Sequence, residues 1–133
     1  MKSVHVSGKR KSAVARATAS AGKGKITINK IPINLYTPDM SREKIYEPIR
    51  LAGKVSDKID ISVNVNGGGV SAQSDAARLA IAKALVAYTK DKGLEQNFLD
   101  YDRQLLVADV RRKEVHKPNR HGKARAKTQK SYR

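Results

Sequence analysis

A chain of 133 residues holding twenty-eight Lys and Arg against twelve Asp and Glu carries a formal net charge of +16, which predicts one domain with a polyanionic partner. The absence of cysteine excludes disulfides, thiol catalysis and cysteine-ligated zinc. No apolar run reaches spanning length, no basic amphipathic helix presents Trp or Phe, and Met1-Lys2-Ser3-Val4-His5 opens no signal-peptide core. The expectation is therefore a cytoplasmic protein with no membrane partner.

Taken in order, Ser3–Ser7 reads as a short strand with Val4 and Val6 on one side. Gly8-Lys9-Arg10-Lys11 follows as a glycine turn with three consecutive cations. Residues 12–20 alternate again, Ala13, Ala15, Ala17 and Ala19 facing one way and Val14, Arg16, Thr18 and Ser20 the other. Gly22-Lys23-Gly24 makes the next turn, residues 25–29 a strand with Ile26 and Ile28 inward, and the pieces read as an antiparallel meander. Ile31-Pro32-Ile33 fits an edge, because proline cannot donate to a central ladder. Asp39 or Ser41 is positioned to cap a short helix over residues 42–46, which Pro48 is expected to end or kink.

The centre of the chain is the stretch 59–89. Ile59, Ile61, Val63 and Val65 alternate with Asp60, Ser62, Asn64 and Asn66, the pattern of a strand with one buried face. Gly67-Gly68-Gly69 reverses the backbone, and Ser71 and Ser74 are candidate N-caps for an alanine-rich helix over 75–89. Its bulky members, Leu79, Ile81, Leu85, Val86 and Tyr88, span about half the circumference, so much of it should be buried. Lys92-Gly93 is read as its stop. Residues 97–107 then return Phe98, Leu99, Leu105 and Leu106 to the core, with Asp100 and Asp102 solvated or paired with Arg103. The order argues α+β: a compact mixed β-sheet with helices on one face.

At Arg111 the composition changes. Residues 111–133 hold ten Lys or Arg against the single acid Glu114, so +9 of the +16 lies in the final sixth of the chain. Lacking any period for burial, this segment orders only by neutralising a partner. The division expected is a folded domain over 1–110 and an extended basic tail over 111–133.

Each motif has a plain reading and a functional one. The glycine run between strand and helix invites a phosphate loop, yet it matches neither G-x-x-x-x-G-K-[ST] nor G-x-G-x-x-G; close backbone packing explains it equally, as does contact with a nucleic-acid phosphate. Arg78 is either a snorkelling arginine or a guanidinium held by the fold and aimed at RNA. His5, His116 and His121 lack the companions a metal site needs. Lys9, Arg10 and Lys11 with Arg16 are candidate phosphate contacts beside the basic tail, where Arg111, Arg112, Lys113, Lys117, Arg120, Lys123, Arg125 and Lys127 are the others. No acid–base dyad, cofactor or small-molecule substrate is implied.

Gly8-Lys9-Arg10-Lys11-Ser12-Ala13-Val14-Ala15-Arg16 resembles the opening motif of the universal ninth protein of the small ribosomal subunit. Gly24-Lys25-Ile26-Thr27-Ile28-Asn29 resembles its second motif, and Val65-Asn66-Gly67-Gly68-Gly69 with Gln73 its glycine motif. Leu105-Leu106-Val107-Ala108-Asp109, Arg111-Arg112 and the ending Gln129-Lys130-Ser131-Tyr132-Arg133 resemble the archaeal and eukaryotic-cytosolic branch. Asn64 and Asn66 stand where members often carry basic residues, and Val110 where this branch carries proline. The resemblance implies an α+β domain with a left-handed βαβ crossover. It implies ribosomal RNA and neighbouring head proteins of the small subunit as partners. It also implies that Lys130, Tyr132 and Arg133 at the tail's end meet the anticodon stem-loop of peptidyl-site tRNA. The reading is a structural ribosomal RNA-binding protein, not an enzyme. Its rivals are a general architectural nucleic-acid binder and a small phosphate-handling enzyme using the 67–69 turn.

Overall fold

Two alternating strands form the middle of the sheet. β2 (Ala13–Ala21) and β5 (Ile59–Asn66) pair antiparallel, Ala17 opposite Val63 and Arg16 opposite Asn64. Ala13, Ala15, Ala17, Ala19, Ile59, Ile61, Val63 and Val65 are all buried, while Arg16, Ser62, Asn64 and Asn66 are exposed. The period-two pattern thus separates a core face from an open face. This computed structural model describes residues 3–36, 38–111, 115, 116 and 118.

β1 (Ser3–Arg10) joins the outer side of β2, β3 (Ile26–Ile28) lies parallel to β5, and β4 (Ile31–Pro32) forms the far edge, giving the order β1-β2-β5-β3-β4. Proline occupies the edge, as expected. The meander is corrected: β5 sits between β2 and β3. The reason lies in the turn after β2, whose donors serve β5 instead of closing a hairpin. The Gly22 amide donates to the Lys58 carbonyl, and the Lys23 and Lys25 amides both donate to Asp60 Oδ1 at 2.9 Å. Those amides, the Lys25 one first, hold the Asp60 carboxyl below the usual aspartate range. Alternation marks which face of a strand is buried but does not name its neighbour. β3 and β4 are joined by Asn29 and Lys30, both at positive φ (51° and 68°), as a two-residue hairpin turn of this hand requires.

The helices cover the buried face. α1 (Asp39–Ala52) crosses from β3 to β5 and runs through Pro48, so of the two expected effects, an end or a kink, the end does not occur. Pro48 deprives the Lys44 carbonyl of its intrahelical donor, but Ile45, Pro48 and Ala52 are buried together, and that packing carries the helix past the break. α2 (Val70–Thr89) starts directly on the glycine turn with Gly69 as N-cap. Neither serine caps it: Ser74 is fully buried, and its hydroxyl donates to the Ser71 carbonyl. α2 lies against β1, β2 and β5 on one side and α1 on the other, which buries Leu79, Ile81 and Leu85 along with five alanines. Helix and sheet approach closely. A Cβ added at Gly8 would stand 2.7 Å from the Ala76 carbonyl oxygen and 2.9 Å from the Ala80 nitrogen.

α2 ends because Lys90 turns left-handed at φ 54°, and Lys92 and Gly93 belong to the next helix, α3 (Lys92–Tyr101). Asp91 caps α3 by accepting from the Gly93 amide at 2.9 Å. Phe98 and, after a 3-10 turn over residues 103–105, Leu105 are fully buried, so this segment closes the core as its apolar residues predicted.

Candidate nucleic-acid interface

The first candidate cations lie on a hairpin, not in a glycine loop. β1 runs on through Gly8, Lys9 and Arg10, and only Lys11 and Ser12 form the turn, because Arg10 already pairs with Ala13. The glycine turn after β5 packs against this tip: Gly67 sits at φ +79°, and a Cβ there would be 2.6 Å from the Ser12 carbonyl oxygen. Gly67 and Gly68 are therefore explained by close backbone approach, whereas a Cβ at Gly69 would meet nothing within 4 Å. Gln73 holds the turn by donating from its side-chain amide to the Gly67 carbonyl at 3.0 Å.

Strand alternation then sorts the cations. Lys9 and Lys11 are exposed at the tip, and Arg16 is exposed on the open face between Ser7 and Asn64. Arg10 turns inward. Its side chain is 20% exposed and lies between Asp75 and Asp109, with Nε 3.9 Å from the Asp75 carboxylate and Nη2 3.6 Å from that of Asp109. Its Nη1 is buried without a hydrogen-bond partner among the described residues.

Arg78 also turns inward. Nη2 donates to Glu47 at 2.5 Å and to Asp102 at 3.1 Å, while Nε donates to the same Glu47 oxygen at 3.0 Å. The side chain is only 12% exposed, so its guanidinium joins α2, α1 and the end of α3 instead of projecting to a ligand. Asp102 is thus paired with Arg78 and not Arg103, while Asp100 accepts from Gln96. Partial burial opposes the charged form of Asp102, but the Gln104 amide and the Arg78 guanidinium outweigh it and lower its pKa. The cleft beside Arg10 and Arg78 is lined by both signs, including Lys9, Asp75, Asp109 and Arg111. It is a network paired largely with itself, unlike a phosphate pocket.

At the root of the tail, Arg111 is bound to Asp109 through its amide at 2.9 Å and through Nη2 at 2.7 Å. These Arg111 donors, side chain first, with Arg10 further off, hold the Asp109 carboxyl far below the usual aspartate range. The remaining candidates, Arg112, Lys113, Lys117, Arg120, Lys123, Arg125, Lys127, Lys130, Tyr132 and Arg133, lie outside the described residues. Sequence reasoning missed Asp75 and Asp109 as the partners of Arg10. The signal was present in Asp109-Val110-Arg111, whose i to i+2 spacing allows an aspartate to accept from the backbone ahead of it.

Residues 8–133 match the family described as "Ribosomal protein S9/S16". The chain belongs to that family. It is 52% identical over the full length of both chains to the small ribosomal subunit protein uS9 of Methanococcus maripaludis, and equally to that of Methanococcus vannielii. The small ribosomal subunit protein uS9 of Picrophilus torridus is 56% identical over 95% of this chain and 94% of its own. The archaeal kind read from the terminal motifs is the kind these relatives represent. A family of ribosomal proteins is not one of enzymes, and the phosphate-handling enzyme reading falls with this membership.

Proposed function

We infer that the protein is a structural constituent of the cytoplasmic small ribosomal subunit and binds ribosomal RNA. The observation that carries this reading is the end-to-end match to small-subunit proteins, which takes in the folded residues and the basic tail alike. Charge supports it independently: Lys9, Lys11 and Arg16 are exposed cations at one end and on one face of the sheet. The tail adds Arg112, Lys113, Lys117, Arg120, Lys123, Arg125 and Lys127, with one acid among them. Phosphate contacts of this kind position a protein without reading sequence. Arg10 and Arg78 are left out of the contact set, since their charges are engaged inside the fold. Cosedimentation tests the reading: the protein should follow small subunits at moderate salt, whereas a general architectural binder would follow DNA and leave the subunits.

The finer reading concerns the tail's end. A fully extended chain from residue 111 to 133 reaches about 75 Å at roughly 3.4 Å per residue, farther than the domain is wide. Arg133 and Lys130 supply phosphate donors and Tyr132 a ring able to stack on a base, which suits the backbone of a tRNA anticodon stem-loop in the peptidyl site. Deleting residues 131–133 should leave subunit assembly intact and weaken tRNA binding there. Failed assembly would make these residues structural, and unchanged tRNA affinity would remove the contact.

A further inference from the structure

The tail is useful only if it leaves the domain in the right place, and the last described residues before it are unusually well tied. Leu105 is the last fully buried side chain among the described residues. Four residues later comes Asp109, whose side chain is only 8% exposed although its neighbours Ala108 and Val110 are exposed. An aspartate is rarely so buried without partners. Asp109 Oδ1 accepts from the Arg111 amide and so bends the chain at that point. Its Oδ2 faces Nη2 of Arg111 at 2.7 Å and Nη2 of Arg10 at 3.6 Å. Arg10 is anchored in turn: it ends β1, sits over α2 and faces Asp75, which is itself 3.6 Å from Lys44 of α1.

We propose that Asp109, seated against Arg10, is a positioning residue that fixes the direction in which the basic tail leaves the folded domain. Arg10 then serves the tail through Asp109 and does not itself touch nucleic acid. A direction set at the root is worth setting here because the sequence from 111 onward carries +9, and charged linkers as a class repel themselves. A fixed root also confines the volume the tail's end searches, which raises its effective concentration at a distant target. The functional consequence rests on the reading above that the tail works far from the core, whereas the latch itself does not.

The absence of cysteine lets two spin labels be placed uniquely, at Asn97→Cys on α3 and Val115→Cys beyond the root, both exposed positions. In the full-length free protein the distance distribution between them should be narrow, and Asp109→Asn should widen it about twofold with cooperative unfolding retained. Asp100→Asn, a carboxylate exposed on α3, should leave the width alone. Arg10→Lys, which keeps the charge but loses the fork, should widen it less than Asp109→Asn does, and it carries the test should Asp109→Asn not fold. An unchanged width in both variants overturns the latch. RNA binding separates positioning from contact. Replacing Lys9 and Lys11 by Ala should flatten the salt dependence by about 1.4 units, at roughly 0.7 per single-stranded contact. Arg10→Met should leave that slope unchanged, and a fall of about 0.7 units would make Arg10 a phosphate contact and overturn the proposal. Subunits rebuilt with Asp109→Asn should bind peptidyl-site tRNA more weakly. Widened distances with unchanged tRNA affinity would keep the latch and discard the reading of the tail's end.

Discussion

The folded residues and the tail use the same cations in opposite ways. In the folded part arginines meet carboxylates: Arg78 bridges Glu47 and Asp102, Arg10 lies between Asp75 and Asp109, and Arg50 donates to Glu43 at 2.7 Å. From residue 112 onward nine cations share one acid, and the sequence offers no apolar face to bury. Positive charge in the first region joins helices and strands, and in the second the sequence supplies almost no carboxylate to meet it. A residue's type therefore does not tell its role; the local supply of carboxylates and apolar neighbours does.

The comparison breaks most visibly in the core. Leu85→Ala, at a fully buried site on α2, should lower stability by about 2–5 kcal/mol in denaturant unfolding. A loss under about 0.5 kcal/mol would mean that this helix face is a surface. Arg78→Met should cost about 1–2 kcal/mol, below the loss for breaking a fully buried pair because Glu47 and Asp102 keep some solvent. It should leave the salt dependence of RNA binding intact. Removing residues 112–133 should do the reverse, shifting stability by less than about 0.5 kcal/mol and flattening the salt slope by several units. A large fall in melting temperature would show that the tail packs on the core.

The smallest effect is that of pH. Asp60, Asp102 and Asp109 all have carboxyls lowered in the fold. A lowered folded pKa contributes stability that is complete above the unfolded value, about 4, and is lost as pH falls further. The unfolding midpoint should therefore be flat from pH 8 to 5 as far as these groups go, and decline below about 4. A decline already complete at pH 5 would contradict the assigned partners.

Much of this was legible because it is local. The alanine alternation of residues 13–19, the strand at 59–66, the helix behind the glycine turn and the edge proline each follow from period, turn chemistry or a missing donor. What escaped is non-local. Nothing near β3 announces that Asp60 collects the amides of the preceding turn and draws β5 between β2 and β3. Arg78 finds Glu47 and Asp102 thirty-one and twenty-four positions away, so its own neighbourhood left it either a snorkelling arginine or one aimed at RNA, where the fold supplies two acids. At Pro48 the helix end, one of the two effects expected there, is absent for a different reason: a local rule about helix breaking was outweighed by packing around Ile45 and Ala52. Arg10 was read with its neighbours as one charge run, yet as the end of a strand it faces the opposite way from Lys9, while Lys11 lies in the turn beyond.

One measurement reaches the central claim most directly: photocrosslinking the protein in cell extract, then identifying both the attached nucleic acid and the attached peptides. The account predicts small-subunit ribosomal RNA joined to peptides containing Lys9, Lys11 and the basic tail, with none at Arg78. Crosslinks spread over DNA or unrelated RNAs, or centred on Arg78, would contradict it.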